Sequence, residues 1–269
     1  MNMIMKTTYN ILMAGLLSAL AFTSCEGFLD KFPETALSPE TFYTNEKELT
    51  LATNGFYAML PKPDDSFDGA LQDNDLQFHL SLSSIQRGTR QAETETWSAS
   101  TWSDLRSINY YLEHSVKCTN EDVRKKYDGI AYFFRAVFYY EKVRKYGDIP
   151  FYDHVISDSD KESLYRPRDS RGFVMQKIME DLDRAIDGLP VSWSEGVYRI
   201  NKYAAYALIS SIALFEGTWR KYHDIADESY TKEDGTTITL SSAYFLQLAA
   251  DAAKAVMESG KYRMYTGGT

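Results

Sequence analysis

The sequence predicts an all-α protein in which pairs of helices pack on one another and long irregular loops connect some of them. From residue 102 onward, apolar residues recur at spacings of three and four, which is the period of a helix with one buried face. Residues that commonly start and end helices bracket these apolar segments. Between residues 231 and 240, the stretch TKEDGTTITL instead predicts a turn flanked by two short extended segments.

The first residues of the chain have the composition of an export signal. Behind Lys6, the apolar run ILMAGLLSALAFTS is shorter than the roughly 20 residues that a membrane-spanning helix needs. We therefore predict a signal peptide over residues 1–24. The sequence FTSC at 22–25 is typical of a bacterial lipoprotein box, in which the cysteine becomes the first mature residue and carries lipid. Lipidation of Cys25 is the prediction, and a plain signal peptide that contains a cysteine is the alternative.

The composition limits the classes of function that this chain can have. Its net charge of −9 argues against a nucleic-acid-binding surface. There are two cysteines, and lipid on Cys25 would leave Cys118 alone, so a packed core must replace a disulfide framework. We expect Cys118, at the end of a helix, to be an inert and partly buried thiol and not a nucleophile.

Residues 25–37 are predicted to form an extended tether, and residues 38–269 to form one helical domain. SPETF at 38–42 predicts the first helix, with proline at its first position. Asn45 and Glu48 have the spacing of a capping box and predict the start of the next helix. The apolar face of this second helix is predicted to consist of Leu49, Ala52, Phe56 and Leu60.

Five more helices are predicted after residue 101. Asn120 is expected to cap the longest of them, which ends at Gly147. Its middle, residues 130–143, is apolar nearly all round and must therefore be enclosed by neighbouring elements. The helix before it is predicted to bury Trp102, Leu105, Ile108, Leu112 and Val116. The last three helices begin near or after Ser170, Asn201 and Ser242.

Small residues recur on the last two predicted helices. The segment YAAYALISSIALFEG at 203–217 pairs with AADAAKAVMESGKY at 249–262. Alanines allow two helices to approach closely, and in a solenoid each pair buries its apolar face against the next. We therefore predict a tetratricopeptide-like repeat body, with a general helical bundle as the alternative.

No residue pattern in the sequence predicts catalysis. The four histidines lack metal-ligand spacing, and there is no Cys-x-x-Cys, so neither a metal nor a cofactor is predicted. A glycine-rich phosphate loop and a G-x-S-x-G motif are also absent. The acids Glu180, Asp181 and Asp183 are predicted to lie on a solvated helix face beside Lys177 and Arg184.

The segment 61–100 has no helical period and holds the candidate binding residues. A tryptophan ring offers a flat surface for the CH faces of a sugar, and nearby acids, amides and guanidinium groups can bond its hydroxyls. Trp97 can instead pin the loop to the body, and the acids can be merely solvated or can hold calcium. The candidates are Trp97, Asp73, Asn74, Asp75, Arg87 and Arg90.

Three segments, in this order, resemble the SusD/RagB family of surface nutrient-binding lipoproteins of Bacteroidota. The first is SCEGFLDKFPETALSPETFY at 24–43, which is similar to the lipidated cysteine and Ser-Pro helix start of the family. The second is FFRAVFYYEKVRKYGDIPF at 133–151, and the third is RINKYAAYALISSIAL at 199–214. The resemblance spans nearly the whole chain but only the N-terminal half of the family, whose C-terminal half we take to be absent here.

The resemblance implies a tetratricopeptide-like body held by lipid on the outer leaflet of the outer membrane. Members of this family capture oligosaccharides or other nutrients, pass them to a SusC-like TonB-dependent transporter, and have no catalysis of their own. A glycan- or nutrient-binding lipoprotein is therefore the leading hypothesis, with Trp97 as the first ligand-binding candidate. The alternatives are a tetratricopeptide-type scaffold for a protein or peptide, and a glycosidase with two loop carboxylates about 5–10 Å apart.

Overall fold

The computed structural model describes residues 42–61, 82, 84, 86–89, 91, 97–194, 196–232 and 234–267. The helices are α1 (Glu46–Asn54), α2 (Ser103–His114), α3 (Glu121–Tyr146), α4 (Lys161–Leu164), α5 (Arg171–Gly188), α6 (Lys202–Tyr222) and α7 (Ser242–Glu258), and the strands are β1 (Glu228–Thr231) and β2 (Thr237–Leu240). Short 3₁₀ helices occupy Gly55–Met59, Ala99–Trp102 and Ser115–Lys117. The tether at 25–37 and the helix predicted to begin at Ser38 lie outside the described residues.

The helices pack in pairs along the chain, as the repeat pattern predicts. They belong to one compact unit, residues 43–269. Helix α3 packs on α5, α5 packs on α6, and α6 packs closely on α7. At the α6–α7 crossing Ala205, Ala213, Ala249 and Ala252 are buried. The prediction of a mostly helical, tetratricopeptide-like body is confirmed.

Helix α3 forms the centre of the core. The Asn120 side chain accepts a hydrogen bond from the Val123 N–H at 3.1 Å, which satisfies one of the free donors at the helix start. Gly147 ends the helix with φ of 74°, a left-handed conformation that glycine adopts at little cost. Ile130, Phe134 and Ala136 are fully buried, so the apolar middle of this helix is enclosed as predicted.

The predictions of two apolar helix faces are wrong at their C-terminal ends. Helix α1 becomes a 3₁₀ helix at Gly55, and the change from 3.6 to 3.0 residues per turn moves Leu60 off the buried face. Leu60 is 37% exposed. In the same way α2 ends at His114 and a 3₁₀ turn follows, so Val116 is 63% exposed and does not continue the α2 stripe.

The carboxylate of Asp181 corrects a third prediction, because it is buried and not solvated. It lies on α5 opposite Arg135 of α3, and the two side chains are 2% and 3% exposed. Arg135 Nη2 donates to Asp181 Oδ1 at 2.6 Å, and Nε donates to Oδ2 at 2.7 Å. Helix α5 packs on both α3 and α6, so its buried face is wider than one apolar stripe and includes this acid.

The segment 231–240 forms a hairpin with its flanking residues, as predicted. Strands β1 and β2 pair antiparallel, with Tyr230 opposite Ile238 and Glu228 opposite Leu240. Tyr230 and Leu240 are buried against the helices. Within the described residues, no helix has the length and apolar character that crossing a membrane requires.

Candidate functional site

Three aromatic side chains meet on the surface where α2 begins and α3 ends. We call Trp97, Trp102 and Tyr146 the ring cluster. The ring centre of Trp97 lies 5.1 Å from that of Trp102 and 4.8 Å from that of Tyr146, with edge-to-face geometry in both pairs. Trp97 keeps 43% of its surface exposed. The ring cluster therefore offers an aromatic surface that its own packing holds in place.

Local sequence explains how the ring cluster forms. Trp102 closes the 3₁₀ turn that leads into α2, and Tyr146 is the last residue of α3 before Gly147 turns the chain away. Trp102 also contacts Phe138 and Tyr152 edge-on, with ring centres 5.5 and 6.1 Å apart. Two helix ends thus position the rings on which Trp97 packs.

Two cations lie over the faces of the ring cluster. Lys142 Nζ is 5.5 Å from the centre of the Trp102 ring, and Arg168 Cζ is 5.8 Å from that of Trp97. Partial burial lowers the pKa of Lys142, and the nearby charge of Lys145 lowers it further. Both cations are hydrogen-bond donors, so a ligand on the rings would find donors beside them.

A cavity of about 310 Å³ opens beside Trp102, which forms part of its lining. Leu105 and Tyr152 form apolar walls, and Arg106, Asn109 and His154 add polar groups. This volume lies at the lower end of the range for small-molecule sites, about 300–1,000 Å³.

Hydrogen bonds fix the wall of this cavity. Asn109 Nδ2 donates to the carbonyls of Tyr152 and His154, at 3.0 Å in each case. Arg106 Nη1 donates to the Ile156 carbonyl at 3.0 Å, and the Val155 N–H donates to Glu113. Helix α2 therefore holds the extended segment after α3 in one position, which favours a preformed site.

The structure describes only some of the candidate residues predicted from the sequence. Trp97 belongs to the ring cluster, where it packs on the body and also stays partly exposed, so its binding role stays a prediction. Arg87 is exposed in a turn that the Thr89 N–H closes onto the Ser84 carbonyl at 2.9 Å. Cys118 is buried. The candidates Asp73, Asn74, Asp75, Arg90 and Cys25 lie outside the described residues.

Sequence reasoning missed Tyr146 and Arg168 as neighbours of Trp97, and Tyr152 as a neighbour of Trp102. A signal for two of them is present in KYGDIPFYD at 145–153, since Gly147 and Pro150 stop the helix and place aromatic residues on both sides of the turn. Arg168 gives no such signal. In the described part of the chain, no group of three or more His, Cys, Asp or Glu side chains is arranged to hold a metal ion.

Curated relatives of this chain carry the SusD name. It is 28% identical over 211 residues to SusD-like protein P2 of Formosa agariphila, a match that covers 72% of this chain and 41% of that protein. SusD-like protein P25 of the same organism is 25% identical over 221 residues, with 73% and 41% covered. The chain therefore spans about two fifths of the length of these relatives.

Solved structures share the fold. A SusD-like protein of Bacteroides fragilis superposes with a TM-score of 0.64 at 22% identity, over 87% of this chain and 42% of that one. A SusD homolog of Bacteroides thetaiotaomicron gives a TM-score of 0.57 at 19% identity, over 86% and 44%. Residues 27–214 match the SusD-like_3 family, which is described as starch-binding and associating with the outer membrane. The chain is therefore a member of the SusD-like_3 family.

Proposed function

We propose that this chain is a cell-surface lipoprotein that binds glycans or other nutrients and delivers them to a SusC-like TonB-dependent transporter in the outer membrane. The observation that carries the proposal is the exposed Trp97 ring in a chain that belongs to a starch-binding family. Binding without catalysis fits a site made of rings and hydrogen-bond donors. The sequence pattern at Cys25 supports a lipid anchor.

The chemistry of the ring cluster suits a sugar. Pyranose rings carry CH groups that pack on aromatic surfaces, and their hydroxyls need donors and acceptors close by. Trp97 supplies the surface, while Lys142 Nζ and the Arg168 guanidinium carbon lie within 6 Å of the indole ring centres, and both groups carry hydrogen-bond donors. Because the edge contacts with Trp102 and Tyr146 fix Trp97, little side-chain entropy would be lost on binding.

Replacing Trp97 by alanine should weaken the binding of a recognised oligosaccharide by about tenfold or more, equivalent to about 1.4 kcal/mol. The reason is the loss of the exposed ring surface on which the sugar would pack. Calorimetric titration of the purified protein against a glycan panel would first find the ligand and then measure the variant.

Tyr222→Ala is a matched control, because Tyr222 is an exposed aromatic residue on α6. It should leave the affinity unchanged. If no saccharide binds, or if Trp97→Ala and Tyr222→Ala behave alike, the ring cluster is not the binding site.

Cys25→Ser should abolish the attachment of radiolabelled fatty acid and move the protein from the membrane fraction to the soluble fraction. The physical reason is that acyl chains contribute about 0.8 kcal/mol per buried CH₂ to membrane binding. Equal labelling of the variant and of the unaltered protein would show that Cys25 is not the anchor.

A further inference from the structure

A second cavity, of about 460 Å³, lies between the 3₁₀ helix Gly55–Met59, the start of α6 and the end of α7. It shares no lining residue with the cavity beside Trp102. Its wall is formed by tyrosine rings and small apolar side chains, with Ala204, Ala207 and Val256 among the latter. We call it the Arg199 cavity, after the residue that gives it its charge.

Among the described residues that line this cavity, Arg199 carries the one charged side chain, and none carries a carboxylate. Its Nε and Nη1 atoms are buried, and among the described residues neither has a hydrogen-bond acceptor. The guanidinium Cζ lies 5.1 Å from the ring centre of Trp193 and 5.9 Å from that of Tyr127. These ring faces attract a cation, but they do not replace the oxygen acceptors that a guanidinium normally has.

The ring beneath Arg199 is held in place. Trp193 Nε1–H donates to the Ile200 carbonyl at 2.6 Å, and Trp193 is buried. The Arg199 guanidinium thus lies over a ring whose own position is fixed. A cation that is fixed and partly desolvated interacts with an incoming anion more strongly than a mobile surface cation does.

The tyrosine hydroxyls of the Arg199 cavity also favour a ligand rich in acceptors. Tyr57 Oη accepts from the Ile200 N–H at 3.1 Å, and Tyr262 Oη accepts from Asn201 Nδ2 at 3.0 Å. Each hydroxyl acts as acceptor in that bond, so its hydrogen remains to be donated. A cation, hydroxyl donors and ring surfaces together complement a ring-shaped anion.

We propose that the Arg199 cavity binds a sugar-sized ligand that carries an oxyanion, either a carboxylate or a sulfate. Its volume is within the range of small-molecule sites, about 300–1,000 Å³. The charge of the Arg199 guanidinium attracts either oxyanion, while the tyrosine rings contact the body of the sugar. The ring cluster shares no residue with this cavity, so substitutions can alter each site separately.

The first test compares charged and neutral ligands on the unaltered protein. Calorimetric titration with a uronic acid disaccharide, a sulfated disaccharide and a neutral disaccharide of the same linkage should show at least about tenfold tighter binding of a charged ligand. The difference should shrink as sodium chloride is raised. Equal affinity for all three, or no binding at millimolar concentration, would overturn the proposal, and so would equal binding of an acidic dipeptide.

The second test uses variants of the cavity wall. Arg199→Met keeps the apolar stem and removes the charge, so it should abolish the preference for the charged ligand. It should keep or raise the melting temperature, because the removed charge has no acceptor. Arg199→Lys keeps the charge without the fork and should give a smaller loss. Unchanged affinity in Arg199→Met would contradict the proposal.

Two further variants distinguish binding in the Arg199 cavity from binding at the ring cluster. Tyr198→Ala removes a ring that lines the cavity and is 69% exposed, so it should not destabilise the core. It should lower the affinity for charged and neutral ligands alike. Trp97→Ala should leave the preference for the charged over the neutral disaccharide unchanged, even where loss of the ring cluster lowers the affinity for both. If Trp97→Ala removes that preference, the anion is bound at the ring cluster and the Arg199 cavity is not the site.

Discussion

Replacing Arg135 by methionine is expected to lower the free energy of unfolding by about 3–5 kcal/mol, because the buried Asp181 carboxylate loses both of its hydrogen bonds to Arg135. The pair makes two hydrogen bonds of 2.6 and 2.7 Å. Burial lowers the pKa of the Arg135 guanidinium, but the charge and hydrogen bonds of Asp181, together with smaller contributions from Tyr132 and Tyr139, raise it overall. The charged pair is therefore the stable form at neutral pH. Denaturation by urea at pH 7, followed by circular dichroism, measures the change.

Two variants test the physical reason for this loss. The double variant Arg135→Met with Asp181→Leu removes both charges and should recover most of the stability, as apolar replacements of buried ion pairs commonly do. Lys125→Met breaks the ion pair between Lys125 and Glu121. Its N···O distance is similar, 2.9 Å, but both side chains are more than half exposed. The substitution should have no measurable effect. A similar loss in Lys125→Met and Arg135→Met would contradict a dominant role for the buried charge.

Asp128→Asn is expected to raise the free energy of unfolding at pH 7 by up to about 3 kcal/mol, and to have little effect near pH 4. Burial raises the pKa of Asp128 to about 6, and the hydroxyls of Ser115 and Tyr111 and the charge of Arg124 offset it only in part. The side chain is 19% exposed, and Arg124 Nε is 4.0 Å from Oδ2. Ionised Asp128 is thus poorly compensated in the folded protein.

The sign of this pH dependence follows from the two states of the protein. In the folded state the carboxyl group keeps its proton until about pH 6, whereas its ordinary pKa is 3.8. Below both values the group is neutral in both states and stability is not reduced. As pH rises from about 4 through 6, the unfolded state ionises first and stability falls. Asparagine is neutral throughout and removes this loss.

Melting temperatures of Asp128→Asn and the unaltered protein, measured from pH 4 to pH 8, test the prediction. The curves should diverge above about pH 5, and each kcal/mol corresponds to roughly 2–4 °C for a chain of this size. Asp227→Asn, at an exposed position, is the matched control and should follow the unaltered protein. Parallel curves for Asp128→Asn would mean that Asp128 is solvated.

The starts of helices could be predicted because their signals are local. Asn120, Ser170 and Asn201 each accept a hydrogen bond from a backbone N–H in the first turn of the helix that follows. These contacts span two or three residues, so the residue type and the start of apolar periodicity suffice to find them. The hairpin was predictable for the same reason, since turn residues separate its two strands.

The buried pair could not be predicted from its local pattern. Asp181 follows Glu180 and precedes Asp183 by two positions, which gives the appearance of a solvated helix face. Its burial depends on α3, where Arg135 stands in a long apolar run. A single cation in such a run needs a partner, but the sequence does not say which acid supplies it.

The candidate site was predictable only in part. Trp97 stands out because it lies in a segment without helical period, yet its contact with Tyr146 joins two residues far apart in the chain and depends on how two helix ends meet. Arg199 appeared only as part of a family motif. Its Nε and Nη1 atoms lack an acceptor among the described residues because of how the structure packs. No local sequence pattern predicts this.

The hydrogen bonds of Asn109 determine which substitutions this protein can tolerate. Its amide accepts from Arg135 at 3.1 Å and donates to the carbonyls of Tyr152 and His154. One side chain thus joins the buried charges to the wall beside Trp102, so a substitution there would disturb both foldability and the shape offered to a ligand. New ligand preferences can arise more freely at positions such as Trp97 and Tyr198, where a lost ring leaves the interior intact. Substitutions at such exposed positions are therefore expected to change the ligand-facing surface at less cost to stability than substitutions at Asn109.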